Sequence, residues 1–258
     1  VTNSRRPALF LTEIEAVAFD MDGVVTDTAS VHAAAWQRTF DTLLSTLEPG
    51  PNTRPFDPVG DYLTHLDGRS RTDGVRAFLA ARRINLPETS EGHSGTPSVA
   101  SLARDKDRFF LEQVAAHGVR AFPSTLDLVR ALRAAGAGVA VVTASRNCSV
   151  VLEAAGAADL FDARVDGVEA ARLGLPGKPD PALFLEAARR LGRPASRTAV
   201  VEDALSGVTA GARGGFGLVV GVDRSASNAA GRREQLYRYG ADVVVTDLAE
   251  LRIEAASR

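Results

Sequence analysis

Residues 16–23 read Ala16-Val17-Ala18-Phe19-Asp20-Met21-Asp22-Gly23, a short apolar run that breaks on two carboxylates and a glycine. An unbroken apolar run of this length, bounded by a turn signal, is the pattern of a strand buried on both faces, as in parallel sheets covered by helices. Asp20 and Asp22 then leave the C-terminal edge of that sheet, where open α/β folds bind their ligands. One carboxylate can enter the crevice while the next but one reaches the same space from another angle, as a nucleophile and its acid/base partner require. Asp-Gly is also a common turn pair, so this segment by itself leaves a plain strand-end turn open.

Outward from it, residues 139–142, 198–201, 217–220 and 243–245 complete the expected strands, and the first two run into Thr143 and Glu202. Helical spacing marks residues 126–135, 181–191 and 204–212, each ending at or near a glycine, the residue that helix C-termini favour. The alternation predicts an α/β core, a parallel sheet flanked by helices, formed by residues 1–32 and 118–258. Residues 33–117 lack comparable strands and predict an inserted helical cap, with helices over 33–47, 70–83 and 99–116. Pro- and Gly-rich segments join them at 48–58 and 86–97.

Composition narrows the classes of function. The chain has 258 residues, 45% of them hydrophobic, enough for a sizeable core and a smaller insert. Its 30 basic and 32 acidic residues nearly balance, which argues against nucleic-acid or membrane partners and requires any anion site to be built locally. Residues 1–15 read neither as a signal nor as an anchor, and no apolar run reaches the ~20 residues of a membrane helix. Cys148 is the single cysteine and has no disulfide partner within the chain, which suits a reducing compartment. A cytoplasmic monomer is expected.

Four polar strand ends recur in this chain: Asp20 and Asp22, Thr143 and Ser145, Lys178, and Glu202 with Asp203. Together they answer the difficulty of phosphoryl transfer, in which a carboxylate must approach a dianionic phosphate. A hard divalent ion with oxygen ligands, magnesium, suits the carboxylates of Asp20 and Asp203, with a backbone carbonyl from Asp22 and Glu202 acting through water or by orienting Asp203. Lys178 adds a second positive charge. Thr143 would hold the non-bridging oxygens, and Asp22 would move protons.

The segments DMDGVVTDT, VVTAS, GKPDP and VVEDALSG, in that order, resemble the four motifs of the haloacid dehalogenase superfamily. That resemblance implies a Rossmann-like core with a helical cap, magnesium, and an aspartate nucleophile, here Asp20. Within the superfamily the chain is similar to the β-phosphoglucomutase family. The likeness rests on Thr26, Asp27, Thr28, His32 and Trp36, on Gly68 through Arg71, on Lys106, and on Arg146 with Asn147. It implies interconversion of β-glucose 1-phosphate and glucose 6-phosphate through an aspartyl phosphate and β-glucose 1,6-bisphosphate. It also implies that Arg71 and Lys106, or Arg146 and Asn147, hold whichever phosphate is not reacting while the closed cap excludes water.

The chain departs from that family at Arg146, where Lys is usual, at Thr143, where Ser is usual, and at Gly74, which removes a possible hydrogen-bonding side chain. Its cap is also longer around 48–57 and 86–98. Apart from the resemblance, His32 reads equally as a packing residue, Trp36 as core, and Arg71 and Lys106 as solvated surface charges. The rival functions are a sugar-phosphate phosphatase with the same residues and a non-catalytic sugar-phosphate-binding module.

Overall fold

The computed structural model describes residues 7–89, 96–224 and 231–254. It divides into two compact units, one formed by Val1–Asp27 and Arg120–Arg258 and the other by Thr28–Val119.

The first unit is built on a six-stranded, all-parallel sheet. Its strands are β2 (Ala16–Asp20), β3 (Gly138–Val142), β4 (Ala163–Val165), β5 (Thr198–Glu202), β6 (Leu218–Val222) and β7 (Val243–Val245), in the order β4-β3-β2-β5-β6-β7. Every residue of β2 and β5 is buried, the burial that a run without alternation predicts for central parallel strands. The chain steps outward from β2 through β3 to β4, then returns to the other side of β2 as β5, which puts a topological switch beside β2. Register brings the strand ends level: Asp20 pairs with Val142, and Phe19 with Val201. Asp20, Thr143 and Glu202 therefore emerge along one edge.

Helices α4 (Pro123–Ala134), α5 (Cys148–Ala154), α6 (Gly167–Leu173), α7 (Ala182–Arg190), α8 (Leu205–Arg213) and α9 (Arg232–Arg238) belong to this unit. One core cluster joins Ala18, Val142 and Val200 of the sheet to Leu183 and Phe184 of α7. A second joins Val219 and Val244 to Val208 of α8 and Leu236 of α9.

The other unit contains α1 (Ala29–Leu44), α2 (Arg71–Ala81) and α3 (Val99–His117). The Ser70 hydroxyl accepts from the Asp73 amide at 3.2 Å to start α2, and Ser98 with Ser101 forms a reciprocal box that starts α3. Its core is an aromatic stack. Phe40 lies 3.8 Å from Phe78 and 5.1 Å from Trp36 between ring centroids, with Phe56 packed on both phenylalanines. Gly74 belongs to this packing, since a Cβ there would lie 3.2 Å from both Leu66 and Trp36. Buried Arg82 ties down the segment around residues 52–61, donating to the Arg54 carbonyl at 2.8 Å and to Asp61 at 2.6 Å.

Several elements differ from the sequence expectation. Strand β4 is an addition to the expected set, as are β1 (Ala8–Phe10) and β8 (Arg252–Glu254), which pair with each other in a separate parallel sheet. Each is three residues long, and Arg164 at the centre of β4 breaks the apolar run, a charge that suits an edge strand. Helices α5, α6 and α9 were not expected because seven residues are too few for helical spacing to register. Helix α1 begins at Ala29, before the predicted residue 33. Of the expected terminal and cap loops, residues 1–6 and 90–95 lie outside the described residues. Among the described residues no helix is long and apolar enough to cross a membrane.

Phe78 is fully buried at the centre of the aromatic stack. Phe78→Ala should lower stability by about 3–5 kcal/mol, as read by urea unfolding; a loss below about 1 kcal/mol would show that this stack does not hold the helical unit together.

Candidate active site

Asp20 closes β2, and the chain then turns tightly. The Gly23 amide donates to the Thr26 carbonyl at 2.7 Å, while the Thr26 amide and hydroxyl donate to the Met21 carbonyl at 2.8 and 3.1 Å. Gly23 holds φ +89°, and a Cβ at that position would lie 2.0 Å from Oδ2 of Asp203. Both the conformation and the space demand glycine, so the loop after β2 rests directly on the acid that follows β5.

Lys178 comes from the turn before α7. Its buried ammonium donates to Oδ1 of Asp20 and to Oε1 of Glu202, and lies 4.9 Å from the Phe184 ring centroid. Glu202 is wholly buried, and its other oxygen accepts from the Ala204 amide at 2.7 Å. Glu202 thus anchors Lys178 with one oxygen and its own loop with the other. Gly207 of α8 makes room for this, because a Cβ there would lie 1.7 Å from Oε1 of Glu202.

Asp20, Glu202 and Asp203 each present a carboxylate oxygen within 4.8 Å of the others. Lys178 donates to two of these three acids. Burial drives the Asp20 carboxyl well above the usual carboxylate range; Lys178 opposes this, and Glu202 and Asp22 add to it. Burial also works against the charge on Lys178, but Asp20 and Glu202 outweigh it and hold the ammonium above its ordinary value. Both directions describe one cluster short of positive charge. The donors that Asp20, Glu202 and Asp203 present are all oxygen, so the residues fit magnesium, which is hard and keeps several of its own waters.

Asp22 is turned differently. Its Oδ2 accepts from the Thr143 hydroxyl at 3.1 Å, and that hydroxyl accepts from the Ser145 amide at 3.0 Å. Thr143, read from the sequence as a holder of phosphate oxygens, thus stands beside Asp22. The Ser145 hydroxyl accepts from the Asn147 amide at 3.2 Å, where Asn147 caps α5, and Arg146 beside it is exposed. Arg232 donates to the Asp203 carbonyl at 2.6 Å, holding the second acidic loop by its backbone.

The structure thus brings Asp20, Lys178, Glu202 and Asp203 together and ties Asp22 to Thr143 and Ser145. The remaining candidates stand in the helical unit. Lys106 is buried, with Nζ 2.6 Å from Nδ1 of His32 and 4.7 and 5.3 Å from the ring centroids of Phe110 and Trp36. His32 stacks on Phe110 at 4.2 Å, and Trp36 lies in the hydrophobic core. Arg71 opens α2 and pairs with Asp107; Gly68 takes φ +70° in the turn before it. Sequence reasoning missed Gly207 and Arg232. The glycine stands in a motif whose signal is its acids, and the arginine lies on a helix with no visible spacing.

The family model of haloacid dehalogenase-like hydrolases matches residues 14–215. The chain is 44% identical over 242 residues to a β-phosphoglucomutase of Mycobacterium bovis, covering 93% of this chain and 92% of that protein. It is 37% identical over 139 residues to a trehalose-phosphate phosphatase of Mycobacterium leprae, covering 52% of this chain and 29% of that one. In fold it is similar to the crystal structure of a β-phosphoglucomutase from Clostridium difficile, with a TM-score of 0.70, 23% identity and 92% of each chain covered.

Replacing a glycine inside a helix by alanine ordinarily stabilises a protein by about 1 kcal/mol. Gly207→Ala should do the opposite, costing about 1–3 kcal/mol in urea unfolding because the methyl group must displace Glu202. A stabilised variant would show that Glu202 can leave Lys178 without cost.

Proposed function

The chain belongs to the haloacid dehalogenase-like hydrolase family, and we propose that within it this protein is a magnesium-dependent β-phosphoglucomutase. It would interconvert β-glucose 1-phosphate and glucose 6-phosphate through β-glucose 1,6-bisphosphate, which serves as both intermediate and activator. The observation that carries the chemistry is the buried cluster in which Lys178 bridges Asp20 and Glu202 with Asp203 alongside. The 44% identity to a β-phosphoglucomutase over nearly the whole chain supports the choice of sugar.

In this reading Asp20 carries the phosphoryl group on its carboxylate. Asp22 removes the proton from the sugar's 6-hydroxyl as that oxygen takes the phosphoryl group, forming the bisphosphate. The 1-phosphate then passes to Asp20, and Asp22 returns its proton to the departing O1, leaving glucose 6-phosphate. Lys178 offsets charge at the nucleophile, Glu202 keeps Lys178 in place, and Thr143 orients Asp22. Magnesium, held by Asp20, Asp203 and the Asp22 carbonyl with Glu202 in support, would supply the positive charge that lets a carboxylate meet a phosphate. Ser145, Arg146 and Asn147 are our candidates for binding the phosphate that is not reacting. The helical unit carries its own candidates for substrate in His32, Trp36, Gly68, Arg71 and Lys106. We further propose a cytoplasmic monomer, which a buried lone cysteine suits.

The second reading, a sugar-phosphate phosphatase, is favoured by the partial likeness to a trehalose-phosphate phosphatase. Protein supplied with β-glucose 1-phosphate, magnesium and a trace of glucose 1,6-bisphosphate should yield glucose 6-phosphate without matching release of inorganic phosphate. Phosphate alone would establish the phosphatase, and neither product would favour a binding module. Asp20→Asn should abolish turnover in either enzyme, and retained activity would sink the covalent scheme.

The pH profile tests the cluster's charge. Asp20 must be ionised to attack, so activity should fall as pH drops through its raised pKa. A cation beside the carboxylate favours its charged form, so raising magnesium should move this acid limb to lower pH. An acid limb that stays fixed across a wide range of magnesium concentration would place the controlling group elsewhere.

A further inference from the structure

We infer that Arg224, two residues beyond the end of β6, is a positioning residue for Asp22. The inference rests on the reading of Asp22 as the proton-transfer group. Arg224 spends its whole guanidinium on the loop that follows β2 and on the elements bracing it. Nε donates to the Gly23 carbonyl at 3.1 Å, one terminal nitrogen to Oδ2 of Asp247 at 2.9 Å, and the other to the Thr125 hydroxyl at 3.2 Å. The plane lies 3.7 Å from the Phe122 ring centroid, and only 17% of the side chain is exposed.

The partners are themselves fixed. Thr125 donates to the Val24 carbonyl at 2.7 Å, so consecutive carbonyls of the loop, Gly23 and Val24, are both held by this group of side chains. Asp247 accepts from the Ser124 hydroxyl at 3.0 Å and from the Ala249 amide at 2.8 Å, which anchors the guanidinium from behind. Gly23 is the residue after Asp22, and its other face meets Asp203. The loop is therefore gripped between Asp203 on one side and Arg224 on the other, next to the backbone from which Asp22 reaches the Thr143 hydroxyl.

A displacement of about 1 Å in a catalytic group can cost on the order of 100-fold in rate. Lysine is a poor substitute here, since one ammonium cannot reach three acceptors while stacking flat on a phenyl ring. The hydrogen bonds of Arg224 go to Gly23, Asp247 and Thr125, while Asp20 is held by Lys178, so loss of Arg224 should impair proton transfer more than nucleophilic attack.

The test compares the first chemical step, transfer of phosphoryl to Asp20, from two donors: p-nitrophenyl phosphate, whose leaving group hardly needs a proton, and phenyl phosphate, whose leaving group does. Single-turnover release of each phenol is followed in the wild type, Asp22→Asn, Arg224→Gln and Arg224→Lys, with thermal unfolding of each. Arg224→Gln should slow phenol release by about 10-fold or more and p-nitrophenol release by less than about 3-fold, the same pattern as Asp22→Asn. Arg224→Lys should fall between, and it carries the same comparison if the glutamine variant does not fold. Equal slowing of both donors, or of neither, would overturn the inference by making Arg224 a stability residue only. Because no sugar is involved, a wild type that phosphorylates Asp20 but fails to isomerise glucose 1-phosphate would refute the mutase and leave this inference standing. A wild type inert to both donors would refute the two together.

Discussion

The constraint on which the rest of this structure depends is the burial of several carboxylates against a single lysine. Removing ionised groups from water costs several kcal/mol apiece even after relaxation, and a buried charge left without a partner is worse than none. Lys178 answers part of that cost by bridging Asp20 and Glu202 from within the protein. Asp203 adds a third carboxylate beside them. A fold selected for stability alone would have filled this space with apolar side chains. The acids make physical sense as a place prepared for a divalent cation and for a phosphate whose charge that cation shares.

Packing around the cluster follows from this constraint. Gly207 is bare so that Glu202 can reach Lys178, and Gly23 is bare so that the loop after β2 can lie against Asp203. The in-register parallel pairing of β2 with β3 and β5 is what makes such close approaches possible, because it delivers the three strand ends to one level. Arg232 and Arg224 then hold the two acidic loops by main-chain carbonyls. Backbone anchoring of this kind adds positive charge behind the loops.

Much of this was legible in the sequence because the informative residues lie where periodicity changes. Residues 16–19 are apolar without alternation and then stop at Asp20, which marks the strand and the carboxylate at its end. The position of Lys178 between a glycine and a proline marks it as a loop residue, and only the three accompanying motifs single it out as a site candidate. What could not be read was orientation. Glu202 and Asp203 are adjacent acids in the sequence, yet one is buried as the anchor of a lysine while the other faces the loop of Gly23. The hydrogen bond between Thr143 and Asp22 is likewise visible only in the structure. Short elements such as β4 stayed silent because three residues with a central arginine carry no period.

The choice between sugar and water as the phosphoryl acceptor turns on the same geometry. Both acceptors need a base, and water is always the more abundant of the two. An enzyme that favours the sugar must therefore keep its base ineffective toward water until binding energy from the sugar brings the reacting atoms into line. A carboxylate held by the Thr143 hydroxyl, on a loop gripped from both sides, is suited to that restraint. Its orientation is set by the protein, so a small acceptor that brings no binding energy gains little from it. A sugar phosphate brings a second anionic group, whose binding can contribute the alignment that water cannot. On this argument the features that hold Asp22 still bear on the identity of the acceptor as much as on the rate.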